Sequence, residues 1–263
     1  MYTNILLGCD PEVFIKDKQG KAISSIGRIG GSKHDPLPIG NGCALQEDNV
    51  SVEFNIPPAA FLGDWFHSIK STMDVIKSKL NQDQLEMLIQ AAVVFDQDQL
   101  NTSAAWEMGC EPDYDAYTGT RNPRPSVRTG MRTAAGHIHI GYDNPTRENQ
   151  IALVKTMDVF TAVTSVIIND DPSTRERMSL YGKAGAFRPK NYGVEYRTLP
   201  NFWLRSDHLI EWAWNQTQKA VHFLNSGREI EASDYELIQT TIKDQDFYAA
   251  TDLIQKYRTM ELI

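Results

Sequence analysis

Apolar and polar positions alternate with a period of two over Val50 to Ile56, where Val50, Val52, Phe54 and Ile56 interleave with Ser51, Glu53 and Asn55. That spacing predicts a strand with one buried face and puts Glu53 and Asn55 together on the other. Beyond Pro57 and Pro58 the period changes. From about Ala59, Phe61, Trp65, Ile69, Met73, Ile76 and Leu80 recur every three or four residues, the stripe of a long amphipathic helix. Ile5 to Ile15 is apolar and β-prone but broken at Asp10-Pro11, since proline cannot donate to a ladder. Ala134 to Tyr142 reads as a strand with Ile138 and Ile140 on one face and His137, His139 and Gly141 on the other. Val194 to Leu199 alternates again and sets Glu195 beside Arg197.

Helical spacing returns over Thr146 to Asn169, through Leu153, Met157, Phe160, Thr164 and Ile167, and again from a Ser206 or Asp207 cap to about Asn225. Ser233-Asp-Tyr-Glu236 is spelled as a capping box opening the C-terminal helices. Asn81 to Leu100 reads as a helix with polar ends; its two Asp-Gln-Leu copies are too few for a repeat array. Residues 170–193, rich in basic side chains, Gly and Pro, read as a functional loop, and Gly27 to Lys33 as a surface turn. With no low-complexity linker, the expectation is a single α+β domain over residues 1–263, built on an antiparallel sheet with flanking helices.

Composition narrows the classes. A chain of 263 residues, 41% hydrophobic, can bury a sizeable core. No stretch reaches the roughly 18 to 20 consecutive apolar residues of a membrane span, and the N-terminus lacks a signal peptide's basic start and cleavage site. Cys9, Cys43 and Cys110 are odd in number and far apart, which suits neither a disulfide framework nor a paired-cysteine zinc site, and Cys110 beside Glu111 reads as structural. A reducing cytoplasm with no membrane partner is the expectation. The net charge of -8 argues against a protein that coats nucleic acid. Residues 121–205 nevertheless carry 13 Lys plus Arg against 7 Asp plus Glu, and hold 10 of the 13 arginines. Arginine's planar fork matches phosphate and carboxylate oxygens two at a time, so this segment is a candidate anion site; charge alone equally describes a solvated face.

Four strand-like segments each turn polar groups to one face: Asp10 and Glu12, Glu53 with Asn55, His137 with His139, and Glu195 with Arg197. Carboxylates converging from adjacent strands suit Mg²⁺, which keeps positions open for phosphate oxygens, while two imidazoles two apart on a strand can reach one metal. The chain has no Gly-x-x-x-x-Gly-Lys-[Ser/Thr] phosphate loop, no Gly-x-Gly-x-x-Gly after its first strand and no Gly-x-Ser-x-Gly elbow. Three classes stay open on the residues alone: a metal-nucleotide enzyme, a metal-dependent hydrolase or oxygenase centred on His137 and His139, and a non-catalytic nucleotide-binding module.

Five blocks, Gly8 to Phe14, Asp48 to Pro58, Gly109 to Tyr117, Ala135 to Gly141 and Tyr181 to Trp203, together resemble the phage-type carboxylate-amine ligases (amidoligases of type 2), a branch of the glutamine synthetase and glutamate-cysteine ligase superfamily. The resemblance implies a glutamine synthetase-like antiparallel catalytic sheet and an ADP-forming ligase that makes an amide through an acyl phosphate. It implies ATP and two or more Mg²⁺ ions, or Mn²⁺, as cofactors. Residue by residue, it implies metal ligation by Asp10, Glu12, Glu53, His137 and Glu195, with His139 close to ATP and the roles of the two histidines open to exchange. Arg197 would face the transferred phosphate, and Arg177, Lys183 and Arg188 lie where relatives contact phosphate or substrate. Small-molecule or peptide carboxylates and amines would be the partners, in a phage-infected host cytoplasm. A homo-oligomer is left open, since the superfamily includes large rings.

Overall fold

Asp10 and Pro11 separate two short strands, β1 (Leu6–Cys9) and β2 (Glu12–Lys16), that join different sheets. The computed structural model describes residues 1–106, 113–123 and 130–259. β1 is the edge of a five-stranded antiparallel sheet ordered β1-β11-β13-β12-β9, with β9 at Tyr114–Asp115, β11 at Ile138–Gly141, β12 at Ala186–Lys190 and β13 at Gly193–Tyr196. β2 enters a six-stranded sheet beside β6 (Ser51–Asn55), followed by β5 (Cys43–Asp48) and β4 (Leu37–Gly40), while β3 (Ala22–Ile23) and β7 (Glu86–Leu88) pair with its second half from opposite sides. A third, two-stranded ladder pairs β8 (Ala92–Val94) with β10 (Met131–Thr133).

Helices cover the apolar faces. α1 (Leu62–Gln82) buries Trp65, Ile69, Met73, Ile76 and Leu80, as its spacing predicts, and Trp65 stacks on Trp203 with ring centroids 5.8 Å apart. α2 (Arg147–Met157) opens on a capping box between Thr146 and Asn149 and runs through a π-helical turn at Asp158–Val163 into α3 (Thr164–Ile168). Arg147–Ile168 is long and apolar enough to cross a membrane, with a mean hydropathy of 1.8, but 67% of that window is buried inside the protein. It packs on β13 and on α5 (Asp207–Asn225), which is capped by the Ser206 side chain as expected. α4 (Thr174–Leu180), α6 (Tyr235–Asp244) and α7 (Phe247–Tyr257) complete the shell. The mixed α+β class with antiparallel sheets agrees with the sequence reading.

Three local expectations are overturned. Asn81–Leu100 is not a helix: Gln84 adopts a left-handed φ of 59°, the chain turns back, and the segment becomes β7, β8 and a 3₁₀ turn. β-branched Val93 and Val94 favour that extended state, which the polar ends concealed. Residues 170–193 hold α4 and β12, because Asp171 accepts hydrogen bonds from Ser173 and from the Ala91 amide and so starts α4. The Ser233-to-Glu236 box does not form; Asp234 turns its carboxylate to the Tyr257 hydroxyl and the Lys256 ammonium instead. The Gly109 to Pro112 part of one motif block, with Cys110, lies outside the described residues.

Candidate active site

Register builds the first half of the site. In the five-stranded sheet Gly8, His139, Glu195 and Arg188 stand side by side across β1, β11, β13 and β12. Directly paired residues share a face, so three functional side chains project from one row, and Gly8 leaves the space beside His139 open. Two residues along the strands, the same face carries Arg197, Lys190 and His137. The second half comes from the other sheet. Glu12 pairs with Glu53, and Glu53 with Gln46, which places Asp48, two residues beyond Gln46, on the same face.

The titratable groups sort into two clusters whose ligand atoms all lie within 4.8 Å of one another: Glu12, Asp48 and Glu53, and Asp10, His137 and Glu195. They differ in charge balance. In the first cluster burial, and then neighbouring carboxylates, lift the acids off their ordinary range: Glu12 is pushed up to about 8 by burial and by Asp48, Glu53 well above normal by burial and by Asp10, and Asp48 upward by burial. Three half-buried acids that resist ionising together are a donor set a hard divalent cation would fit, since it would replace their protons. Glu12 also accepts from the Ala135 amide at 3.0 Å, and Glu53 from the Gln46 amide at 2.9 Å, which fixes one oxygen of each.

The second cluster is already surrounded by cations. Glu195 is fully buried, accepts from Arg188 on both oxygens at 2.9 and 3.0 Å, lies 2.8 Å from the Lys190 ammonium, and is also bonded by Arg197. Burial raises its carboxyl above the ordinary value, with Asp10 adding to the effect, although these cations oppose it. Burial works against ionisation of Asp10 as well, but His139 and His137 overcome it and hold Asp10 well below the usual range. His139 Nε2 lies 2.9 Å from Asp10, and His139 Nδ1 contacts the Tyr192 hydroxyl at 2.5 Å. His137 lies 3.4 Å from Asp10 and 3.8 Å from Glu195 through Nδ1, and its Nε2 meets the Tyr181 hydroxyl at 3.3 Å. Burial, then Arg197, lowers His137 to about 3, so it stays neutral and able to give a lone pair to a metal. The geometry thus puts His137 in the acid cluster and His139 beside it.

A cavity of about 310 Å³ opens next to both clusters, lined by polar Asp10, Glu53, Asn55, His139 and Tyr192 and by apolar residues such as Leu6, Ile56 and Pro58. Of the basic residues expected here, Arg188 and Arg197 face Glu195. Arg177 is set back: it is fully buried and donates to the carbonyls of Arg197, Thr198 and Leu199. Gly182 lies against it, and a Cβ there would come within 1.9 Å of its guanidinium. Lys183 is placed by its backbone, whose carbonyl accepts from Thr198. The sequence reading missed Asp48, Lys190, Tyr181 and Tyr192. Asp48 was within reach, because a hairpin at Asn49 forces Gln46 and Asp48 onto the face of Glu53.

Residues 127–254 match the family model described as phage phiEco32-like COOH.NH2 ligase-type 2. The likeness expected from the motifs is therefore present over a span that holds His137, His139, Arg177, Lys183, Arg188, Glu195 and Arg197, and that leaves Asp10, Glu12 and Glu53 outside. No curated protein matches the chain. A solved structure described as "GmaS/ADP complex-Conformation 1" aligns with 97% of this chain and 68% of its own, at 10% identity and a TM-score of 0.41.

Proposed function

Because residues 127–254 carry the signature of the phage phiEco32-like COOH.NH2 ligases of type 2, we propose that this protein is an ATP-dependent carboxylate-amine ligase acting through an acyl phosphate. The observation that carries the reading is the apposition of two clusters: carboxylates that resist ionising, at Glu12, Asp48 and Glu53, next to the arginine and lysine array on Glu195. Phosphoryl transfer from ATP draws on both, a seat for divalent cations and fixed positive charge around the moving phosphoryl.

Glu12, Asp48 and Glu53 would hold one Mg²⁺ or Mn²⁺, and Asp10, His137 and Glu195 a second. When bound, such ions supply charge neutralisation on the phosphate oxygens. The chain's own residues do the rest. A substrate carboxylate oxygen attacks the γ-phosphorus and ADP departs; the amine nitrogen then attacks the acyl carbon, phosphate departs with the bonding pair, and the amine loses a proton. Arg197 and Arg188 face the position where charge spreads over the transferring phosphoryl. His139, steadied between Asp10 and Tyr192, stands at the wall of the cavity where ATP would enter. Acid and amine are small molecules or peptides, and action in the cytoplasm is part of the same proposal. The hydrolase or oxygenase reading asks His137 and His139 to share a metal, and only His137 enters an acid cluster among the described residues.

Calorimetric titration with a non-hydrolysable ATP analogue, with and without Mg²⁺, tests the reading on wild type and on Glu53→Gln. Magnesium-dependent binding that weakens in the variant is expected. Folded wild-type protein that binds under neither condition would overturn it, and binding with no ADP release from any acid and amine pool would leave a nucleotide-binding module.

A further inference from the structure

Behind the five-stranded sheet, on the face away from the two clusters, a single carboxylate collects three segments of the chain. Asp158 is fully buried at the start of the π-helical turn. Its Oδ1 accepts from the Tyr196 hydroxyl at 2.7 Å and, at 3.1 Å, from the Thr198 hydroxyl, whose one proton is shared with the Lys183 carbonyl; its Oδ2 accepts from the Gly185 amide at 2.6 Å and the Tyr117 hydroxyl at 3.0 Å. Tyr196 and Thr198 flank Arg197 on β13 and its extension. Gly185 belongs to the segment that carries Tyr181 and Lys183, and Tyr117 to the turn that follows Asp113.

The same three segments meet again in front of the sheet, on Arg197. Its Nη1 donates to Glu195 of β13, its Nη2 to the Tyr181 hydroxyl, and its Nε lies 3.5 Å from the Asp113 carboxylate. We propose that Asp158 is the positioning residue of Arg197: by tying β13, the Tyr181–Gly185 segment and the Asp113–Tyr117 turn together from behind, it fixes the three contacts that aim the guanidinium. Carboxylate chemistry suits the task, because each oxygen takes two donors; an amide offers one acceptor and would present its NH₂ to groups that already donate. Burial pushes the Asp158 carboxyl up to about 7, so the fold keeps a costly group there that a well-packed apolar side chain would replace without loss if packing alone were at stake. A π-helical turn at this point is in keeping with a functional role, since such turns concentrate at functional sites.

The test uses the full chain with Asp158→Asn, Arg197→Ala and the double variant. The Nε–H resonance of Arg197, assigned by its loss in Arg197→Lys, reports the guanidinium directly. It should shift or broaden in Asp158→Asn while circular dichroism stays that of the wild type. Resting on the ligase reading, magnesium-dependent affinity for the non-hydrolysable ATP analogue should fall about tenfold or more in Asp158→Asn. It should fall no further in the double variant than in Arg197→Ala, because the two residues act through one group. An unmoved Arg197 signal in folded Asp158→Asn, or additive losses in the double variant, would overturn the proposal. If Asp158→Asn does not fold, Tyr117→Phe removes one of the four donors, and the Arg197 signal decides in the same way. Absence of nucleotide binding by the wild type would instead count against the ligase reading, with the resonance still deciding the role of Asp158.

Discussion

Glu12 and Glu53 stand directly opposite one another on neighbouring antiparallel strands, with Asp48 completing the group. Like charges so placed destabilise a sheet by up to about 1 kcal/mol. Glu53→Gln should therefore raise the Tm of the metal-free protein at pH 8.5 by about 2–4 °C. The same change should remove most of the Mg²⁺-induced gain in Tm. Thermal scans with and without Mg²⁺ measure both, and an unchanged magnesium gain would remove Glu53 from the cation seat.

The raised carboxyls set a pH dependence with a definite sign. Glu12, pushed up to about 8, and Asp48, Glu53 and Glu195, all displaced upward, keep protons in the folded state that the unfolded chain has released. The stability Glu12 contributes is complete below the ordinary carboxylate value and is lost as pH rises through about 8, and the other three act with the same sign. A divalent cation binds the ionised forms, so it opposes that loss. His137 and Asp10, both displaced downward, contribute losses only on the acid side. Between pH 6.5 and 8.5 the metal-free Tm should fall while the gain on adding Mg²⁺ grows; a gain that stays flat across that window would contradict the assignment.

Removing Arg197 leaves Glu195 still paired with Arg188 and Lys190, so Arg197→Ala should fold. ADP formation should drop on the order of 10²- to 10³-fold, the usual cost of one preorganised charge-stabilising group. Glu195→Gln strands three cations at a buried point and should abolish turnover with a larger loss of stability. Near-normal rates in both, on folded protein, would refute these roles.

Gly136 precedes His137 for a packing reason. A Cβ at that position would lie 2.3 Å from Trp203 Nε1 and 2.4 Å from the Pro200 carbonyl. Gly136→Ala should cost about 1–3 kcal/mol by overpacking, read from urea unfolding. It should also weaken magnesium-dependent nucleotide binding, because the displaced backbone carries His137. Trp65→Ala, which removes the ring stacked on Trp203, should cost about 3–5 kcal/mol in the same unfolding measurement.

The strand faces were legible because a period of two is unambiguous where one side is buried: Glu53, His139, Glu195 and Arg197 lie where alternation put them. The helices α1, α2 and α5 were legible for the corresponding reason. Partnership between strands was not. The hairpin at Asn49 makes the β5–β6 pairing local, but nothing in the sequence near Asp48 says that β6 lies against β2, so its meeting with Glu12 emerged only from the register. Arg177 shows the opposite failure, a basic side chain in the expected segment whose guanidinium is turned to backbone carbonyls. Tyr181 and Tyr192 have no pattern of their own, since each acts by reaching a histidine from another element.

The break at Asp10-Pro11 has a geometric consequence for metal spacing. Asp10 belongs to one cluster and Glu12 to the other, and only two peptide units separate their Cα atoms, at most about 7 Å of chain. The interval between the two clusters is therefore tethered covalently at one corner, with proline's ring stiffening the tether. Motion of one sheet against the other cannot part this corner by more than that length of chain, much as a short hinge pin keeps the edges of two plates together.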